Sequence, residues 1–304
     1  MNIGKGVLTI AHGQSRFARQ AVNLARSIRL RDPNLPLAVV TDLPAALFEG
    51  MYDHVIPWNF VGRSGLVSKL DAYEMSPFDV TLFLDTDILM FTSLQPVFEH
   101  FAGDEFSVIG QLQAETGWFE STALMHEEFA VEAFPRFVGG LYYFVKSKTA
   151  ARVFREAHAI HLRYDELRIK LHEGMRNDEP IFSVAMARTG MLARKARTPG
   201  LLINPTWWPV RSADIDVIAG RCDQFENKKI LRRAMMHFYD GRTHSYFYIR
   251  EILRLKAAFR NADRTVRMEG LIRLCAVVLW LCAPPRIVWK MHRFIKKGLR
   301  KLMR

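Results

Sequence analysis

Residues 80–90 read VTLFLDTDILM, an apolar run that passes into Asp85-Thr86-Asp87 and out again into Ile88-Leu89-Met90. Its length and its aliphatic and aromatic content predict a strand buried on both faces, as in a parallel sheet. Two carboxylates two residues apart are costly to desolvate there unless something compensates them. At the carboxyl end of a buried strand the backbone leaves the core. Two carboxylates placed there can reach one hard divalent cation and, through it, a diphosphate.

Outward from this run the chain alternates strand and helix. Residues 6–11 (GVLTIA) predict a short strand and 15–31 a helix, with Ser15 as its cap and Pro33 and Pro36 beyond its end. Residues 37–41 and 54–57 predict strands, and 68–75 a helix that leads into the central run. This order predicts an α/β fold: a doubly wound, largely parallel sheet with helices on both faces. Ligands of such a sheet lie beyond the carboxyl ends of its strands, where Ala11-His12, Asp42 and Asp85 fall.

Further along, 106–112 and 141–145 predict strands, and 113–135, without clear pattern, is expected to line an acceptor cleft. Residues 148–161 and 179–188 predict helices, and 234–238 a last strand. The stretch 201–209 is irregular and aromatic, and Trp207-Trp208 suits either stacking on a sugar face or a buried core role. After residue 243 the chain reads as helical, interrupted at Pro284-Pro285. The expected division is a catalytic domain over 1–245 and a helical tail over 246–304.

With 304 residues, 49% hydrophobic and 24% charged, the chain has the composition of a folded globular protein. Its net charge of +12 is unevenly placed. Residues 286–304 hold eight Lys or Arg and no acid, so the first 285 carry 35 basic against 31 acidic residues, or +4. With no recognisable binding module and the basic excess confined to the tail, no nucleic-acid partner is expected. Cys222, Cys275 and Cys282 form no CxxC or Cys/His pattern, which disfavours a disulfide framework or structural zinc and fits a reducing setting. The first residues, MNIGKGVLTIAHG, contain no long apolar stretch of the secretory type, so a cytoplasmic location is expected.

The string Asp-x-Asp alone decides nothing, since Asp214-Ile215-Asp216 repeats it within a polar stretch, RSADIDVIAG. Position and company distinguish the first copy. Lys69-Leu70 and Tyr73-Glu74 precede it; Phe137-Val138-Gly139-Gly140, Asn177-Asp178-Glu179-Pro180 with Phe182-Ser183, and His237-Phe238 with Gly241 follow in that order. This ordered set, over roughly residues 6–245, resembles glycosyltransferase family 8. The family has a GT-A fold and transfers a sugar from a nucleotide-diphosphate donor, with retention at the anomeric carbon.

The resemblance implies roles residue by residue. Asp87 becomes the principal metal ligand, Asp85 a ligand that also reaches the nucleotide ribose, and His237 the third ligand. Mn²⁺ or Mg²⁺ suits such a set and would neutralise a departing diphosphate. Thr86, between the two carboxylates, belongs to the same donor site. Lys69 is placed near the donor phosphates, where a fixed charge stabilises the leaving group. Gly139 and Gly140 lie under the donor sugar. Asp178 hydrogen-bonds sugar hydroxyls, and Glu179 faces the anomeric carbon, as a carboxylate that stabilises an oxocarbenium-like transition state or acts as a nucleophile. Two departures stand out. Ala11-His12-Gly13 offers no acid for the base, which leaves recognition of a UDP-sugar in question. An additional residue also precedes Gly241, and Arg242-Thr243-His244 replaces the family's Lys-Pro-Trp, so Arg242 is the candidate for a phosphate contact.

Residues 274–285 (LCAVVLWLCAPP) are apolar but too short to span a membrane, which takes about 20 residues. Residues 286–304, on a helical wheel, place the basic side chains on one arc and Ile287, Val288, Met291, Phe294, Ile295, Leu299 and Leu302 opposite. That is the pattern of a helix lying in an anionic membrane surface. The expected protein is a metal-dependent hexosyltransferase acting on a saccharide or lipid-linked, lipopolysaccharide-like acceptor, held peripherally at the inner membrane face. A nucleotidyltransferase on a similar sheet and a catalytically silent membrane-binding scaffold are the rivals. The first would want a Gly-rich basic loop after the first strand, for which Ser15-Arg16-Phe17 is a poor match.

Overall fold

A computed structural model describes residues 3–59, 65–203, 213–226, 229–239, 241–260 and 268–282. The aromatic stretch containing Trp207-Trp208 and the basic segment 286–304 lie outside the described residues. The described chain forms two compact units that divide after His237.

In the first unit, β1 (Ile3–Ile10) is followed by α1 (Ser15–Arg29), β2 (Leu37–Thr41), β3 (His54–Pro57), α2 (Ala72–Met75), β4 (Phe78–Leu84), β5 (Ile88–Met90) and α3 (Gln95–His100). Then come β6 (Phe106–Ser107), β7 (Gly110–Gln113), α4 (Thr122–Phe129), β8 (Phe134–Phe137), β9 (Leu141–Val145), α5 (Lys148–Leu162) and α6 (Asp178–Thr189). Short strands close the unit: β10 (Arg197–Thr198), β11 (Leu201–Leu202), β12 (Ala213–Asp216), β13 (Arg221–Glu226), β14 (Lys229–Arg232) and β15 (Met235–His237).

The central sheet has the order β3-β2-β1-β4-β9-β6. Its first four strands are parallel, as the alternation of strand and helix predicts, whereas β9 and β6 pair antiparallel. Strand alternation sends Leu8 and Phe83 into one core cluster and Val7, Leu82 and Leu84 into another. Both faces are therefore buried, which accounts for the unbroken apolar run; each such side chain stabilises the fold by about 1.5–3 kcal/mol.

Several local expectations are corrected. The run 80–90 is two strands, with Asp85-Thr86-Asp87 as the break between them: β4 stays in the central sheet and β5 leaves it to pair with β15. The stretch 106–112 also splits, because β6 pairs with β9 while β7 pairs with β8. Gly110 permits the change, since a Cβ there would lie 2.3 Å from the Arg136 carbonyl oxygen. Residues 68–75 divide equally between the end of a 3-10 helix, Gly65–Asp71, and the short α2 that follows it. The unpatterned 113–135 contains α4, whose N-cap Ser121 accepts a hydrogen bond from Leu124 N at 3.3 Å, and the first two residues of β8.

The second Asp-x-Asp copy does lie on a strand, β12, in a three-stranded antiparallel sheet. There Asp214 pairs with Arg221 at 2.7 Å, and Asp216 accepts from the Ile218 and Ala219 amides of the following turn. These are structural tasks.

The second unit contains α7 (Tyr246–Arg260) and α8 (Glu269–Cys282). Among the described residues no helix is long and apolar enough to cross a membrane. Arg254 joins the two helices, pairing with Glu251 on α7 and with Glu269 on α8.

Candidate active site

The site begins at the break after β4. Its position is fixed by one backbone contact, Asp85 N–H to the Gly140 carbonyl at 3.0 Å, which carries the β4–β9 pairing one residue past Leu84. The chain then turns through Thr86 and Asp87 into β5, whose antiparallel partner β15 sets His237 opposite Ile88. That register brings a residue about 150 positions away beside Asp87. His237 Nε2 lies 2.9 Å from Asp87 Oδ1 and 3.7 Å from Asp85 Oδ2. One ligand atom from each of the three residues falls within 4.8 Å of the others. Two hard carboxylates and an imidazole are a donor set that could hold a divalent cation such as Mn²⁺ or Mg²⁺.

Lys69, from the 3-10 turn before α2, forms the same wall as Asp85. Its Nζ donates to the Gly139 carbonyl at 2.7 Å, lies 3.0 Å from Asp85 and 3.3 Å from Asp178 Oδ2. Burial disfavours its charge, but Asp178 and Asp85 outweigh burial and hold its pKa above that of an ordinary lysine. Burial pushes both the Asp85 and Asp178 carboxyls up, and Lys69 offsets part of that shift. Asp87 ends below the usual carboxylate range: burial raises it, yet the His237 charge beside it prevails. His237 is the mirror case, with burial opposed and exceeded by Asp87.

Asp178 and Glu179 open α6, capped by Asn177, whose side-chain oxygen accepts from Glu179 N at 3.2 Å. They differ in surroundings. The Asp178 side chain is 2% exposed, whereas that of Glu179 is 22% exposed. The Gly139 N–H donates to Glu179 Oε1 at 2.9 Å. Both glycines are required by space. A Cβ on Gly139 would fall 2.9 Å from Asp178 Oδ2, and one on Gly140 would fall 2.6 Å from the His237 ring.

A cavity of about 470 Å³ lies along this wall, lined by His12, Gly13, Arg16, Phe17, Lys69, Asp85, Thr86 and Asp87 among others. Asp42, at the end of β2, accepts from Gly13 N at 2.8 Å and so shapes the loop that carries His12. Ala11 is fully buried against α1 and β2, with its carbonyl bonded to the Thr41 hydroxyl at 2.6 Å; its side chain belongs to the core and not to the cavity. Thr86 lines the cavity and donates to Gln20 at 3.3 Å. Gly241 and Arg242 belong to the second unit, where Arg242 stacks over the Tyr239 ring at 4.4 Å.

Two participants escaped the sequence reading. Tyr142, on β9, donates its hydroxyl to Asp178 Oδ2 at 2.5 Å and is buried. Its signal was a tyrosine in an apolar strand just after Gly139-Gly140, where a buried hydroxyl needs an acceptor. Arg136 pairs with Glu179 Oε2 at 3.6 Å and stacks on Trp118 at 4.0 Å; β8 carries it, and β8 was not foreseen.

No family model matches the chain, and no curated protein matches it in sequence. Solved structures do. The galactosyltransferase LgtC in complex with donor and acceptor sugar analogs matches over 87% of this chain and 95% of its own, with TM-score 0.52 and 14% identity. An active-site mutant of LgtC matches over 78% and 88%, with TM-score 0.52 and 13% identity. At such identity the likeness establishes the fold, and the fold is the GT-A fold of these glycosyltransferases.

Proposed function

We propose that this protein is a metal-dependent, retaining glycosyltransferase of the family 8 type. It would move a hexose from a nucleotide-diphosphate sugar, most simply a UDP-sugar, to a saccharide or lipid-linked acceptor. One observation carries the reading: Asp85, Asp87 and Lys69 line one cavity at the carboxyl end of β4 in a GT-A sheet, with His237 beside Asp87 and Asp178 beside Lys69.

Asp85, Asp87 and His237 would hold Mn²⁺ or Mg²⁺, which when bound supplies Lewis-acid neutralisation of a departing diphosphate. Lys69, fixed by Gly139, Asp85 and Asp178, adds a permanent cation on the same side. Asp178 takes Lys69 and Tyr142 on Oδ2, which leaves Oδ1 to receive a sugar hydroxyl. Glu179, the more open carboxylate, faces the positive charge that develops at the anomeric carbon as its bond to the diphosphate lengthens. The acceptor hydroxyl then bonds to that carbon on the vacated face, and its proton passes to the departing phosphate oxygen.

The membrane assignment is also ours. On α8, Leu271, Leu274, Val278 and Leu281 are 49–67% exposed and recur at helical spacing. This stripe precedes the basic segment 286–304 and suits an anionic membrane at the cytoplasmic face. A calorimetric screen of nucleotide sugars with and without Mn²⁺ tests the whole reading. Mn²⁺-dependent binding of one donor supports it. Binding to liposomes with no donor bound favours the scaffold, and release of pyrophosphate favours nucleotidyl transfer.

A further inference from the structure

Arg136 stands beside Glu179 in an arrangement that sugar transfer as described leaves without a role. Its guanidinium lies 4.0 Å from the centre of the Trp118 ring, and Trp118 is itself buried edge-to-face against Phe137 at 5.9 Å. The stack holds a long, partly solvated side chain in one place. Nη1 is 3.6 Å from Glu179 Oε2, an ionic contact beyond hydrogen-bond reach, while the Gly139 amide grips Oε1 at 2.9 Å. Glu179 is thus held between a backbone donor on one oxygen and a pinned cation on the other.

Three charged groups face Glu179: Asp178 on its own helix, Lys69 from the turn before α2, and Arg136 from β8. Burial first and Asp178 second push its carboxyl above the usual range, against the pull of the Gly139 amide, Lys69 and Arg136. Lys69 is already shared between Asp85 and Asp178. Arg136 forms no other ion pair among the described residues, so Glu179 is its one carboxylate partner there.

We propose that Arg136 is a positioning residue that keeps Glu179 ionised and fixed in place at the reacting face of the site. This rests on the role given to Glu179 above. Only an ionised carboxylate can meet a developing oxocarbenium charge or bond to the anomeric carbon, so Arg136 would extend the working range of the site toward lower pH.

The test uses the full chain with Mg²⁺ and ¹³C-labelled glutamate, and Glu179→Gln identifies the Glu179 carboxyl resonance. Arg136→Gln is expected to move the titration midpoint of that resonance to higher pH, and Arg136→Lys to restore it toward wild type. An unmoved midpoint in Arg136→Gln overturns the proposal. With UDP-glucose and UDP-galactose as probes, the acid limb of kcat/KM for donor hydrolysis should shift in the same direction. The loss on the acid side should be about tenfold, carried by kcat with KM unchanged. Arg136→Gln should add nothing in a Glu179→Gln background, and an undiminished effect there also overturns the proposal. A wild type inert toward both probes counts against sugar transfer alone, and the carboxyl titration still decides on Arg136.

Discussion

Lys69 shows how tightly the site is coupled to stability. Its side chain is 8% exposed and stands between Asp85 and Asp178. Taking the charge away leaves two desolvated carboxylates without their cation, so Lys69→Met should destabilise the protein by about 3–5 kcal/mol in urea unfolding. An exposed lysine would cost almost nothing. Asp87 makes the opposite case: with a 23% exposed side chain, its replacement should be felt in binding more than in folding. Asp87→Ala is expected to weaken Mn²⁺ binding by at least about 100-fold in calorimetry, since even residues that only orient ligands cost 10–100-fold. Metal-dependent donor hydrolysis should disappear with it, and retained hydrolysis would remove Asp87 from the ligand set.

At the level of elements, the two-stranded β5–β15 ladder and the β4–β9 ladder meet at Gly140, which touches Asp85 through its carbonyl and His237 through its missing side chain. Gly140→Ala should therefore displace the imidazole and reduce Mn²⁺ affinity while leaving every ligand in the sequence; unchanged affinity by calorimetry would refute the packing argument. The sequence made β2, β3 and β9 legible to the residue, because each is a short apolar or β-branched run with a clear boundary. It also made Asp85, Asp87, Lys69, Asp178, Glu179 and His237 legible as an ordered set. Periodicity has no view of pairing partners, however, so it did not reveal that β5 leaves the sheet or that β6 and β7 separate. Arg136 and Trp118 were hidden for the same reason. Their contact depends on β8, a four-residue strand, Phe-Pro-Arg-Phe, whose proline obscures it.

For the whole molecule, the second unit makes a distinct contribution. Arg254 and Arg273 hold the Glu269 carboxyl down at about 2, against an ordinary value of 4.5. A group depressed in the folded state stabilises it fully above the unfolded value, so this contribution is complete above about 4.5 and is lost as pH falls toward about 2. Helicity of the second unit should decline across that interval, and Glu269→Gln should remove this part of the pH dependence in circular dichroism. The exposed face of α8 predicts that Leu274→Glu with Leu281→Glu weakens binding to phosphatidylglycerol vesicles while nucleotide-sugar binding persists. Equal vesicle binding by the variant would exclude α8 from that surface. The order of the ligands along the chain has a consequence for synthesis. His237 is the final residue of the first unit, whereas Asp85 and Asp87 leave the ribosome about 150 residues earlier. A nascent or prematurely terminated chain thus presents two carboxylates but no third ligand. On the proposed ligand set, competence for metal capture would arrive late, only once the last strand of this unit has emerged and paired.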